Sequence, residues 1–159
     1  MSESTTKACP PGMHTITPHL VCANAISAVE FYKQAFGAVE QVKLVAPNGQ
    51  LIHAGLLIGD SMLMLADEYP QMGSVGPIAL KGSPVVIHLQ VSDVDAVIAQ
   101  AVKAGATLTM PPAEMFWGDR YGQVTDPFGH RWSVATHIRD VSPAEMQSAA
   151  EKMCGTPNC

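Results

Sequence analysis

The chain repeats itself, and that constrains its fold more than any other feature. Residues 19–24 run into a segment that ends Phe36-Gly37-Ala38, and residues 88–93 run into one that ends Ala104-Gly105-Ala106. The histidines that open them stand 88 − 19 = 69 residues apart and the glycines that close them 105 − 37 = 68 apart. Two copies differing in length by one residue account for both spacings. A chain of 159 residues has room for one ordinary domain or two small modules, and the repeat selects two copies of one unit.

Each copy begins as a strand, because β-branched and other apolar residues precede a polar cap. Asn24 in the first copy, and Ser92 or Asp93 in the second, can accept from the free N–H groups that open a helix. Ile26, Val29, Tyr32 and Phe36 recur at helical spacing, as do Val94, Val97, Ile98, Ala101 and Val102. Gly37 and Gly105 supply the left-handed residue that ends each helix. Strands are then expected over 39–46, 51–58 and 62–66, with turns at Pro47-Asn48-Gly49 and Gly59-Asp60. The second copy should run 107–110, a Pro111-Pro112 interruption, 116–125, a turn at 126–129, and 131–136. Each unit reads βαβββ. Residues 1–14 read as a disordered tail, 15–140 as one domain of two units (15–68 and 83–140, linker 69–82), and 141–159 as a helical tail opening at Ser142-Pro143.

Composition removes several classes of function. Nine Lys and Arg against fourteen Asp and Glu give a formal charge of −5, which offers nucleic acid and anionic membrane no basic face. With 47% apolar and 14% charged residues the chain is globular, and no apolar run approaches a membrane span. Cys9, Cys22, Cys154 and Cys159 form no CxxC pair, and Cys22 reads as a buried thiol. A reduced, cytoplasmic protein is expected.

The motifs narrow the reading further. Phe116-Trp117-Gly118-Asp119-Arg120-Tyr121-Gly122 is followed by Asp126-Pro127-Phe128-Gly129-His130, Trp132-Ser133 and Ala135-Thr136-His137. His53-Ala54, Ile58-Gly59-Asp60-Ser61 and Leu65-Ala66-Asp67-Glu68 stand in the first copy. Tandem βαβββ units with these motifs resemble the vicinal oxygen chelate superfamily of glyoxalase I, extradiol dioxygenases and bleomycin-binding proteins, and most of all its PhnB-like branch. The resemblance covers about residues 15–146 and implies an α+β fold whose strands form a cupped mixed sheet, one or two sheets in all. Relatives often dimerise, which implies a homodimer.

In metal-dependent relatives each of four strands gives one ligand, and carry-over places those positions at Thr17, Met64, Val86 and Ser133. None of the four is a good ligand for Zn, Ni or Fe. The expectation is therefore no metal cofactor. His19 and His88 lie two residues beyond Thr17 and Val86, on the same face by strand alternation, so a two-residue slip would make them a metal-binding pair. A divalent metal held by His19 and His88 is the alternative, and with it a lyase, isomerase or dioxygenase.

His53 is a third imidazole that could act as acid or base, although the 69-residue offset puts Gly122 opposite it in the repeat. The family pattern commonly has a Glu two residues beyond this His, where the chain has Gly55. Trp117, Tyr121 and Arg120 combine flat apolar surface with a fixed cation, a means of holding a planar or anionic molecule. Adjacent residues face opposite ways along a strand, so Arg120 could instead pair within the fold. His19, His53 and His88 are thus the catalytic candidates. The ligand-binding candidates are His19, His88, Met64, Trp117, Arg120, Tyr121 and Ser133. A small-molecule ligand, sequestered or processed without a metal, is the expected partner.

Overall fold

The computed structural model describes residues 8–154, and these fall into two compact units that divide between Gly82 and Ser83. The first contains β1 (His19–Cys22), α1 (Ala25–Phe36), β2 (Val39–Val45), β3 (Leu51–Ile58), β4 (Ser61–Asp67) and a short helix, α2 (Pro77–Leu80). Its sheet has the order β1-β4-β3-β2, with β1 parallel to β4 and the other pairs antiparallel. The second contains β5 (Val86–Gln90), α3 (Val94–Ala104), β6 (Thr107–Glu114), β7 (Asp119–Thr125), β8 (Arg131–His137) and α4 (Pro143–Cys154). Its order, β5-β8-β7-β6, repeats the first with the same parallel pair. The fold is α+β, built from tandem βαβββ units.

The duplication extends to individual hydrogen bonds. Asn24 accepts from Ser27 N–H at 3.1 Å and Asp93 from Ala96 N–H at 3.0 Å, capping α1 and α3. A second cap comes from the last strand of each unit. Asp67 Oδ1 accepts from Ala25 N–H at 2.7 Å, and Thr136 Oγ1 from Val94 N–H at 2.8 Å, at positions 136 − 67 = 69 apart. The single-residue difference is also located. Helix α1 has 12 residues and α3 has 11, which shortens the offset to 68 beyond the helices. Leu57 pairs with Met62 across four intervening residues, whereas Thr125 pairs with Arg131 across five, which restores 69.

Each sheet buries one face under its helix. In the first unit Leu20, Cys22, Ala54, Leu56, Leu63 and Leu65 are buried, together with Val29 and Tyr32 of α1. In the second Val124, Trp132 and Val134 are buried with Val94, Ile98 and Ala101 of α3. Gly122 lets α3 approach closely, since a Cβ there would lie 2.5 Å from Ile98 Cδ1 and 3.0 Å from the Met110 carbonyl oxygen. Val102, expected on the buried stripe, is 39% exposed.

Four expectations need correction. Strand β6 continues through Pro111-Pro112 to Glu114, because it lies at the sheet edge where a missing N–H costs nothing, and its register shifts between Met110 and Ala113. Phe116 and Trp117 are not in a strand. They sit in a turn closed by Gly118 N–H to the Met115 carbonyl at 3.0 Å, with Gly118 at φ 100°, and β7 starts at Asp119. Residues 8–14 are not loose, since the Gly12 carbonyl accepts from Met62 N–H at 2.8 Å; residues 1–7 lie outside the described chain. Segment 69–82 belongs to the first unit, tied down by Gly76 N–H donating to Glu68 Oε1 at 2.6 Å. The C-terminal segment is helical as far as Cys154, opened by a Ser142–Glu145 capping box, and the rest of that tail lies outside the described residues. Among the described residues no helix is long and apolar enough to cross a membrane.

Candidate functional site

Strand alternation fixes which residues the second sheet presents on the face away from α3. They fall in rows across β5, β8 and β7: Val86, Arg131 and Thr125; then His88, Ser133 and Gln123; then Gln90, Ala135 and Tyr121; and last His137 with Asp119. Three of the candidate ligand residues therefore share one face, His88, Ser133 and Tyr121.

They are bonded to one another. The Gln90 Oε1 lies 3.1 Å from His88 Nε2, so that nitrogen carries the proton. Nδ1 lies 2.8 Å from the hydroxyl of the buried Ser133, which completes the row. Tyr121 lies parallel to the His88 ring, with centroids 6.2 Å apart and planes 14° from parallel. Its hydroxyl accepts from Gln123 Nε2 at 2.8 Å, and Gln123 Oε1 is 3.5 Å from an Arg131 guanidinium nitrogen. Both His88 nitrogens are engaged by neighbours on the same face. This suits the ring to recognition more than to proton abstraction.

Trp117 joins the same wall from the turn. Its indole stands edge-on to Tyr121 at 5.6 Å, and its N–H donates to Asp119 Oδ2 at 3.1 Å. His137 holds the other oxygen, with Nδ1 2.9 Å from Asp119 Oδ1 and Nε2 2.9 Å from Asp140 Oδ1. Two carboxylates on two ring nitrogens need both nitrogens protonated, and the bonds to Asp140 and then Asp119 raise the His137 pKa above its ordinary 6.5.

Arg120 is on the opposite face. Its guanidinium makes two bonds to the Asp95 carboxylate of α3, at 2.6 and 2.8 Å, so its charge is spent inside the fold. The hydrogen bond to Arg120 pulls the Asp95 carboxyl below its usual range. Among the ligand candidates of this unit, Arg120 is the one on the α3 side, paired within the fold. Sequence reasoning passed over Gln90, Gln123 and Arg131, although each lies an even number of residues from His88, Tyr121 or Ser133 on the same strand.

The first sheet carries the same rows with different chemistry. His19 pairs with Met64, Met64 with Gly55, and Leu57 with Met62. Gly55 is the counterpart of Gln123, at 123 − 55 = 68, which makes Tyr121 the counterpart of His53. The expected match of His53 to Gly122 is one residue out, because the shorter α3 had not been allowed for. His19 and His53 do form a ring pair, T-shaped at 5.9 Å, where the second unit stacks His88 on Tyr121. Met64, Gly55 and Met62 stand where Ser133, Gln123 and Arg131 stand. One face is apolar around two imidazoles, and the other is polar around one.

Neither face fits a divalent metal. Thr17 donates its hydroxyl to the His14 carbonyl at 3.2 Å, and Val86 and Met64 have no hard donor. Both nitrogens of His88 are committed, and no carboxylate or thiolate lies beside either imidazole in its rows. Among the described residues no three His, Cys, Asp or Glu side chains gather.

A family model describing the glyoxalase/bleomycin resistance protein/dioxygenase superfamily matches residues 13–134. The chain belongs to that superfamily. It is 48% identical over 137 residues to protein Mb0911c of Mycobacterium bovis, covering 84% of this chain and 90% of that one. Protein At5g48480 of Arabidopsis thaliana is 34% identical over 116 residues, 68% of this chain and 69% of that one. The crystal structure of the Arabidopsis gene product superposes with a TM-score of 0.63, covering 77% of this chain and 98% of that one at 30% identity. A PhnB protein from Bacillus cereus, 17% identical, has the same fold with a TM-score of 0.62 over 77% of this chain and 99% of its own. Superfamily membership settles the architecture and leaves the reaction to the residues on each face.

A cleft of about 450 Å3 elsewhere in the first unit is lined by Asn24, Asn48, Gln50, Asp67 and Glu68. Its carboxylates already serve the backbone. Asp67 accepts from Ala25 and Leu51 N–H, and Glu68 from Gly76 N–H.

Proposed function

We propose that this superfamily member, of the PhnB-like kind its motifs resemble, is a small-molecule-binding protein that holds a planar or weakly anionic ligand without a metal. The observation that carries this reading is the bonded row on the second sheet, Ser133–His88–Gln90 with Tyr121 stacked on the imidazole. Such a wall offers flat apolar surface with fixed donors and acceptors at its edge, the usual make-up of a small-ligand site. Because both His88 nitrogens are taken up by Ser133 and Gln90, the face sequesters or orients a ligand more readily than it takes a proton from one. The protein acts in the cytoplasm as a homodimer on this reading, since pairing of two copies shields the bare edges of antiparallel sheets.

Titration of the protein with 2-naphthol, followed by tryptophan emission, tests the assignment through Trp117. His88→Ala and Tyr121→Ala should each weaken binding by roughly threefold to tenfold, the worth of one aromatic contact. Binding indifferent to both substitutions would place the site elsewhere. Sedimentation at micromolar concentration should give a dimer, and a monomer would remove that part of the proposal.

A further inference from the structure

The ligand face has a cation that no sequence motif singled out. Arg131 opens β8 two residues before Ser133, so it projects on the same face, one row from His88, Ser133 and Gln123. Its guanidinium reaches Gln123 Oε1 at 3.5 Å, and among the described residues no carboxylate pairs with it. The other guanidinium groups of this unit are occupied elsewhere. Arg120 is clamped by Asp95 on the α3 side, and Arg139 reaches the Phe116 carbonyl at 3.4 Å. The acids of this face, Asp119 and Asp140, lie at the opposite end around His137. The face is therefore polarised along β8, with a guanidinium at one end, the Tyr121–His88 stack in the middle and an acid cluster partly balanced by His137 at the far end. Met62 holds the equivalent position in the first unit, so the charge belongs to one copy alone.

We propose that Arg131 is the specificity-determining residue of this site and selects aromatic ligands bearing a carboxylate. This rests on the reading of the second sheet as the ligand face. The aromatic part of the ligand lies against Tyr121 and His88, and the carboxylate takes two parallel N–H donors from Arg131. One row, about 7 Å of strand, separates the Arg131 backbone from Ser133, a span that a ring and its carboxyl substituent bridge. Gln123 steadies the guanidinium from one side and the Tyr121 hydroxyl from the other.

The test compares 1-naphthoate with its neutral analogue 1-naphthamide. Both have the same ring, and only one has the charge. The wild-type protein should prefer the carboxylate by about tenfold or more, and the preference should shrink as salt is added. Arg131→Gln should bring the ratio close to one while leaving the amide's affinity as it was. Arg131→Lys should keep part of the preference, since it retains the charge and loses the fork. Arg120→Gln should leave the ratio alone. An unchanged ratio in Arg131→Gln, or loss of the ratio in Arg120→Gln, would overturn the Arg131 assignment while leaving the ligand face intact. Failure of both compounds to bind the wild-type protein would overturn the ligand face itself, and the selectivity with it.

Discussion

Asp126 gathers three donors of the second unit on one buried carboxylate. It is 4% exposed, and its Oδ1 accepts from Phe128 and His130 N–H, each at 2.9 Å. Its Oδ2 accepts from the indole of Trp132 at 2.9 Å, which fixes the largest fully buried side chain. Removing the carboxylate takes away the acceptor that these three donors share at a nearly closed site. Asp126→Ala should therefore lower stability by about 3 kcal/mol or more, read from the shift of a urea midpoint. A loss under about 1 kcal/mol would mean that water replaces those bonds. The exposed Arg120–Asp95 pair marks the other extreme, where Arg120→Gln should leave the urea midpoint almost unchanged.

The helices of the two units are held at their starts by different residues doing one job. Asp67 bonds Ala25 N–H of α1 and also Leu51 N–H at 2.6 Å, so it joins α1 to β3 and β4 together. Thr136 serves Val94 of α3 alone among the bonds found. Asp67→Ala should cost about 2 kcal/mol and Thr136→Val about 1 kcal/mol in thermal or urea unfolding. Equal losses would show that the Leu51 bond contributes nothing.

A second element-scale link is the bridge from β7 through β8 to the segment before α4, made by His137 between Asp119 and Asp140. Its folded pKa is raised, so its contribution is complete below an unfolded value of about 6.5 and fades as pH climbs through the folded value. The thermal midpoint of wild type should exceed that of His137→Asn at about pH 5.5 and converge on it by about pH 9. A difference that stays constant over that range would show that the ring is not titrating there. The same bridge positions Asp119 under Trp117, so loss of the proton should also loosen the aromatic wall.

At the scale of the molecule, the duplication has produced two sheets of equal architecture and unequal chemistry. His19 has Met64 beside it and His88 has Ser133, and among the described residues no carboxylate or thiolate completes a metal cluster with either imidazole. Exhaustive chelation should leave the thermal midpoint within about 1 °C, and added Zn should not raise it by mass action. A stoichiometric metal lost from His19→Ala and His88→Ala would reverse the metal-free reading.

The sequence by itself determined the tandem βαβββ plan, because helical and strand periodicities, caps and turn glycines are local and occur twice at nearly one spacing. It also put His88 among the candidates by strand alternation and Tyr121 by its aromatic motif, while Ser133 came from the family resemblance. Only the tertiary structure decided that Arg120 answers to Asp95 and that Arg131 shares a face with His88, Ser133 and Tyr121. Which face of β7 lies under α3 depends on packing between segments 25 residues apart, as with Asp95 and Arg120. The one-residue deletion in α3 had the same effect on His53, shifting its counterpart from Gly122 to Tyr121, since strand register is set by cross-strand bonds rather than by counting along the chain.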